Sequence, residues 1–314
     1  MPGFLVSLVA VIFWGVQLPV AKDAFVAVNP FHLSLFRYCV AVSCLVPFLI
    51  AREGLGALSY RGLGGRAIVL GLVGMCLSPM GAFVGMSLSS AEHCVVLGAL
   101  QPTMAVLAMW FMKRQRPANF TLLCIVLAFV GVVLVVTDGN LQFIQSTPQL
   151  FGDLIILLGA GCWVIYTAGI SRLTGWSTWR ITVLTMIPGT LGTALLTQGL
   201  VAVGHIQPPT LAALESVAWQ LAYLSLIGVT FSMMAWNFGS RRIGVLNSSL
   251  LINFMPVVTF TWRALHGHAF HRIELIGAAL VVGALIANNI FLRRQYLART
   301  QEDRMGGARA RMSD

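Results

Sequence analysis

The sequence predicts an all-α integral membrane protein with ten transmembrane helices in two inverted five-helix repeats. Three observations lead to this fold: an apolar composition, ten apolar runs of membrane-spanning length, and matching motifs in the two halves of the chain. Of the 314 residues, 58% are hydrophobic and only 10% are charged, whereas about a quarter of the residues in a typical soluble protein are charged. The mean hydropathy of +0.85 is also typical of a chain that crosses the membrane many times.

The apolar runs are mostly about 20 residues long, which is the length that a helix needs to cross the hydrocarbon core. They are apolar on all sides and lack the short alternating pattern of barrel strands, so we expect helices. The predicted spans 1 to 10 cover residues 3–21, 30–50, 67–87, 92–112, 119–137, 153–171, 181–203, 218–239, 244–265 and 273–292.

The basic residues predict the orientation, because Lys and Arg are enriched in cytoplasmic connections. With the N-terminus in the cytoplasm, the outer side keeps only Lys22, Arg263 and Arg272, and nearly all other Lys and Arg residues lie inside. This distribution predicts a multi-pass protein of the cell (plasma or inner) membrane with both termini cytoplasmic. It also explains the net charge of +10 without a nucleic-acid partner.

Several segments indicate no further chemistry. The polar, basic tail, residues 293–314, is expected to be disordered near anionic lipid. The cysteines form no C-x-x-C pair, and His266, His268 and His271 have no cysteine or acid in tight spacing, so no metal site is predicted. The chain contains no nucleotide-binding or hydrolase motif. We therefore expect neither an enzyme, nor an ATP-driven pump, nor a cofactor.

The two halves of the chain resemble each other, with one repeat over residues 1–137 and the other over residues 153–292. Trp14 in span 1 matches Trp163 in span 6, and Pro102 in span 4 matches Pro256 in span 9. Because each half has an odd number of spans, the second half is expected to be inverted. Inverted repeats place a binding site near the midplane and allow the halves to rock between two access states.

These motifs resemble the EamA-type transporters of the drug/metabolite transporter superfamily. The resemblance depends on Trp14-Gly15, on Phe36-Arg37, and on "SLSSAEHCVVLGALQPTMAVL" (87–107) with its counterpart "LNSSLLINFMPVVTF" (246–260). The Gly-Glu pair that this family often carries after spans 4 and 9 is replaced by "KRQRP" and "HGHAF". The resemblance implies a cavity lined mainly by spans 1, 3, 4, 6, 8 and 9.

Arg37 is the only Lys or Arg well inside a predicted span, and an arginine near a helix centre costs about 2.5–3.5 kcal/mol. One interpretation is structural: the side chain snorkels outward or binds backbone carbonyls. The other is functional: Arg37 is the counter-ion of an anionic group of the substrate. No acid lies inside a span, although Asp23 and Glu92 are placed to approach from the outer side.

The helix-breaking prolines are predicted hinges, since each removes a backbone hydrogen bond; they are Pro79, Pro102 and Pro256. Polar amides and aromatic residues inside spans are candidate substrate ligands, although interhelical packing is an equally open role for them. Gly81 and Gly85 are expected to let helices pack closely. Besides Arg37, the candidate ligands are Trp14, Gln101, Trp163, Tyr166, Trp236, Asn247 and Asn253.

Together these observations predict a secondary transporter, and the resemblance implies export of a small organic metabolite such as an amino acid. Its partners are the substrate and the lipid bilayer, as a monomer or a homodimer. An exchanger of phosphorylated sugars or nucleotide sugars is an alternative, and it requires two or more basic residues in the cavity. A non-catalytic membrane scaffold or lipid-handling protein is an alternative of another class, and it has no need of matched helix breaks.

Overall fold

The computed structural model describes residues 2–114, 116–137, 147–170, 172–243 and 251–313, and all regular structure in these ranges is helical. Nine helices there are long and apolar enough to cross a membrane. We number the helices after the predicted spans. They are α1 (Pro2–Ala24), α2 (Pro30–Glu53), α3 (Gly64–Gly71, Leu72–Leu77 and Ser78–Leu88 in succession), α4 (Ala91–Gly98 and Gln101–Lys113), α5 (Asn119–Thr137), α6 (Thr147–Ile170), α7 (Thr178–Ala202), α8 (Ala218–Ala222, Tyr223–Phe231 and Ser232–Ile243 in succession), α9 (Met255–Leu265) and α10 (Arg272–Ser313).

The predicted all-α membrane fold is therefore confirmed. The count of ten spans is compatible with the structure but stays a prediction, because the first part of the ninth span, residues 244–250, lies outside the described residues. Residues 293–313 differ from the expected disordered tail, since α10 continues through them as a helix. This stretch lacks proline and is rich in Arg, Ala and Gln, which favour the helical conformation.

Helices α3 and α8 each contain a π-helical stretch, Leu72–Leu77 in α3 and Tyr223–Phe231 in α8. In α3, Pro79 lies two residues after the stretch and has no backbone N–H to donate into it. In α8, the hydroxyls of Thr230 and Ser232 donate to carbonyls five residues earlier. Such bulges are frequent at functional sites, and here they occupy corresponding helices of the two halves.

Helices α4 and α9 contain the breaks expected from their prolines, but the geometry differs from a bend. Pro102 is the second residue of the helical segment Gln101–Lys113, and Pro256 is the second residue of Met255–Leu265. At this position the missing N–H costs nothing, because a helix leaves its first N–H groups unpaired. Each proline therefore starts a new segment after a short turn.

The packing is compatible with the predicted repeat. Helix α5 packs on α10, α2 on α7, and α4 on α9, while α3 packs on α6 and α1 on α8. This set of pairs is unchanged when every helix is exchanged with the one five places along the chain.

Two large contacts between the halves, α3 with α6 and α1 with α8, are built on glycines. A Cβ on Gly85 of α3 would lie 2.5 Å from the carbonyl oxygen of Gly152 in α6, and a Cβ on Gly239 of α8 would lie 2.7 Å from that of Gly3 in α1. Gly81 likewise lies against Gly159. Close backbone approach through small residues is how membrane helices gain packing energy, and the expectation for Gly81 and Gly85 is confirmed.

Candidate functional site

Aromatic and amide side chains of α1 lie directly on the π-helical stretch of α8. The indole nitrogen of Trp14 donates to the carbonyl oxygen of Gly228 at 3.0 Å, and the Trp14 ring centroid lies 5.4 Å from that of Trp236. A Cβ on Gly228 would lie 2.6 Å from Oε1 of Gln17. This Oε1 atom is buried and accepts no hydrogen bond. The site thus contains an acceptor that a solute can satisfy.

The turn directly before α9 adds a second amide with an unpaired atom. Asn253 is 2% exposed, and its Nδ2 has no hydrogen-bond partner. It precedes the segment that begins at Met255, whose carbonyl lies close to Gly15 of α1, and Thr259 donates to the Gly15 carbonyl at 2.7 Å. Buried polar groups normally find partners, so an unpaired donor in this turn and an unpaired acceptor on the neighbouring α1 indicate a place for a polar ligand.

The contact between α6 and α3, which the repeat relates to that between α1 and α8, contains further predicted residues. Trp163 is half-buried with its ring centroid 5.1 Å from that of Tyr166. The Tyr166 ring covers Gly74 in the π-helical stretch of α3, and its hydroxyl shares a 3.2 Å hydrogen bond with Thr185. Gln101 is half-buried at the start of the second segment of α4. Asn247 lies outside the described residues.

Arg37 is 3% exposed, so it does not snorkel to the surface. Its guanidinium carbon lies 4.1 Å from the ring centroid of Phe83 in α3 and 5.0 Å from that of the neighbouring Tyr38. Such cation–π contacts stabilise a cation outside water. Nε has no hydrogen-bond partner, and Arg37 forms no ion pair among the described residues.

Glu92, one of the two acids that the sequence placed within reach of Arg37, forms an ion pair with another residue. Glu92, 2% exposed in the first turn of α4, accepts a 2.6 Å hydrogen bond from Nε of Arg263 in α9. Asp153 of α6 is also buried, at 3% exposure, 3.0 Å from Nδ1 of His93. Both acids and Arg263 are predicted at the outer ends of their spans, and this shared location is the one signal in the sequence. It does not identify Arg263 as the partner of Glu92, because the two residues are 171 positions apart.

Gln17 was also missed by the sequence analysis. The repeat register contains the signal, because Gln17 follows Trp14 by three residues just as Tyr166 follows Trp163. Each of these two side chains covers the glycine of a π-helical stretch. As to metals, the described residues contain no group of three His, Cys, Asp or Glu side chains that is placed to hold an ion.

Comparisons with known proteins agree with this architecture. The EamA-like transporter family matches residues 1–137 and 150–290. "Uncharacterized transporter YrdR" of Bacillus subtilis (strain 168) is 31% identical over 297 residues, covering 93% of this chain and 92% of that protein. "Uncharacterized transporter YyaM" of the same organism is 26% identical and covers 92% of this chain and 94% of that protein.

A crystal structure named only "Crystal structure of protein" has 20% sequence identity and a TM-score of 0.66, covering 93% of this chain and 98% of that one. At this identity the likeness supports the fold. The family match over both halves and the 31% identical relative go further. Together with the paired helices, they show that this chain is a multi-pass membrane transporter and belongs to the EamA-like transporter family.

Proposed function

We propose that this transporter is a secondary transporter that exports a small organic metabolite, such as an amino acid, by alternating access. It acts in the plasma or inner membrane with both termini in the cytoplasm. The observation that supports this most directly is the pair of unsatisfied amide atoms, Gln17 Oε1 and Asn253 Nδ2. Gln17 lies on α1 and Asn253 lies in the turn directly before α9. Helices α1 and α9 pack together beside an aromatic pair, Trp14 and Trp236.

Each part of this region has a role in the proposal. The amides bind polar groups of the solute, because an unpaired buried amide costs about 1–3 kcal/mol until it finds a partner. Trp14 and Trp236 provide an apolar wall, as is typical of small-molecule sites. Pro79 within α3 and the segment starts at Pro102 and Pro256 act as hinges, because each proline lacks the N–H that would continue the backbone hydrogen bonding of its helix.

Arg37 is the counter-ion of the solute carboxylate in this proposal. Its burial without an ion-pair partner among the described residues supports that role. The alternative of a phosphorylated-sugar or nucleotide-sugar exchanger requires a second cation nearby, and Arg37 is the only one well inside a span. A scaffold or lipid-handling protein would not need repeat-matched helix breaks.

The proposal is tested by counterflow uptake of a panel of radiolabelled amino acids into proteoliposomes. For a transported solute, we expect Asn253→Leu to lower the initial rate at least about tenfold, because Leu keeps the size and removes the donor. Asn288→Leu is the matched control, since Asn288 is a 4% exposed amide on α10 that also has an unpaired atom. Equal loss in both variants, or no transport of any amino acid by folded protein, would count against the proposal.

The role of Arg37 is tested in the same assay with Arg37→Ala. We expect at least about a tenfold loss for amino acids, because a charge-assisted contact is worth about 1.5–3 kcal/mol, and a much smaller loss for an amino-acid amide that lacks the carboxylate. If Arg37→Ala transported both solutes at the wild-type rate, the role of this side chain would be purely structural.

A further inference from the structure

The predicted outer end of the bundle contains a connected set of charged side chains, which we call the outer latch: Lys22, Glu92, His93, Asp153 and Arg263. The ion pairs whose two members are both described residues lie at this end. They join Glu92 with Arg263, His93 with Asp153, and His268 with Glu92 at 4.0 Å. Their carboxylates are 2% and 3% exposed, so they are desolvated at the end of the bundle where water is nearest.

Two consecutive residues of α4 link the first half to the second. Glu92 accepts from Arg263 of α9 at 2.6 Å, and His93 lies 3.0 Å from the Asp153 carboxylate of α6. The turn between Ser90, which caps α4, and Glu92 fixes both side chains, because the Ser90 hydroxyl accepts from the His93 backbone N–H. One helix start therefore contacts two helices of the opposite half, α6 and α9.

Two further helices of the first half, α1 and α3, join the same set. Nζ of Lys22 in α1 donates to the carbonyl oxygens of Met86 and Ser89 at 2.6 Å each, at the end of α3. The Ser89 hydroxyl donates to Asp153 at 2.5 Å. A cation at a helix C-terminus binds its unpaired carbonyls. The contacts thus run from α1 through α3 to α6, and from there through α4 to α9.

We propose that the outer latch is the external gate of the transporter: it holds the two halves together in the described state and separates when the site opens outward. This rests on the proposed alternating access. Five of the six helices implied to line the cavity meet in the latch. Rocking of the halves must separate α4 from α6 and α9, so both carboxylate contacts must break together.

The small cavity within the latch is consistent with a gate. It measures about 210 Å³ and is lined by Glu92, His93, Arg263 and His268 together with residues of α5, α6 and α10. A cavity that the charged side chains line on one side allows water to enter and solvate each charge as the pair separates. Removing one member of a buried pair is strongly unfavourable for the closed state, because it leaves the other charge unpaired.

The gate is tested by distances between spin labels, a readout that needs no solute. In a cysteine-free background, one label pair replaces Val26 and Leu211, which are 93% and 72% exposed at the predicted outer end in different halves. A second pair replaces Arg116 and Thr174, exposed at the predicted inner end. In Arg263→Gln we expect the outer label pair to show a longer distance and the inner label pair a shorter one. The population of molecules with the longer outer distance should be at least about tenfold larger than in wild type.

The charge swap Glu92→Arg with Arg263→Glu keeps the pair and is expected to restore the wild-type distances. Asp153→Asn is expected to act in the same direction as Arg263→Gln. Arg272→Gln is the control, since it removes an exposed cation at the same end. The gate proposal would be overturned if both label distances were unchanged in folded Arg263→Gln, or if the outer distance changed without a change in the inner distance. Transport of amino acids is measured separately, so the proposed function and the gate can fail independently.

Discussion

The α1–α8 contact and the α3–α6 contact have the same glycine packing, which we call the shared frame. They differ in their polar side chains. In each, glycines meet where the helices cross, and a side chain of the partner helix covers the glycine of a π-helical stretch. In the α3–α6 contact that side chain is Tyr166, which shares a hydrogen bond with Thr185. In the α1–α8 contact it is Gln17, whose Oε1 is unpaired.

This difference separates a scaffold role from a binding role. The glycine contacts fix how close the helices come, and they recur because the repeat requires the same crossing twice. The polar side chains at the two contacts can differ, since they do not determine how the helices cross. The satisfied contact is suited to hold the halves together, and the unsatisfied one is suited to receive a solute.

The shared frame is tested first and has the largest expected effect. Gly85→Val and Gly239→Val each place side-chain atoms within 3 Å of the partner backbone, since even a Cβ would lie 2.5 Å and 2.7 Å from it. We expect each to destabilise the protein by about 3 kcal/mol, measured by equilibrium unfolding in mixed micelles. Gly199→Val is the control, because no atom lies within 4 Å of its added Cβ. A large loss in only one of the two contacts would break the symmetry of the frame.

The π-helical glycines are expected to differ. A Cβ on Gly74 would lie 2.2 Å from the packed Tyr166 ring, whereas a Cβ on Gly228 would meet the end of the flexible Gln17 side chain. We expect Gly74→Ala to cost about 2 kcal/mol, with Gly228→Ala costing less because Gln17 can move. Gly228→Ala should lower transport instead. If both variants had the same stability, the two contacts would not differ as described.

The smallest expected effect concerns the matched tryptophans. Trp14→Phe removes the donor to the Gly228 carbonyl, so we expect a loss of about 1 kcal/mol from the unpaired acceptor. Trp163→Phe keeps its aromatic contact with Tyr166 and is expected to cost less. Unfolding of the two variants side by side measures the difference. A larger cost for Trp163→Phe would reverse the assignment of polar roles.

The fold was largely predictable from the sequence, and the site only in part. Spans were predicted from local apolarity, and the matched prolines and tryptophans indicated the repeat. Trp14 and Trp236 lie on helices that pack together, and Asn253 lies in the turn before another helix that packs on α1; their roles as ligands stay a prediction. The partner of Glu92 was not predictable, because a charge in one span can pair with any opposite charge at the same end of the bundle.

The sequence by itself determined the membrane class, most of the described span boundaries to within a few residues, and the prolines at which α4 and α9 start new segments. These depend on local properties, namely the apolarity of a run and the absence of an N–H on proline. Only the tertiary structure decided which side chains stay unpaired at Gln17 and Asn253, how Arg37 is held between α2 and α3, and which charges join in the outer latch. Those outcomes depend on distances between residues far apart in the chain, and such distances are set by the glycine contacts between helices.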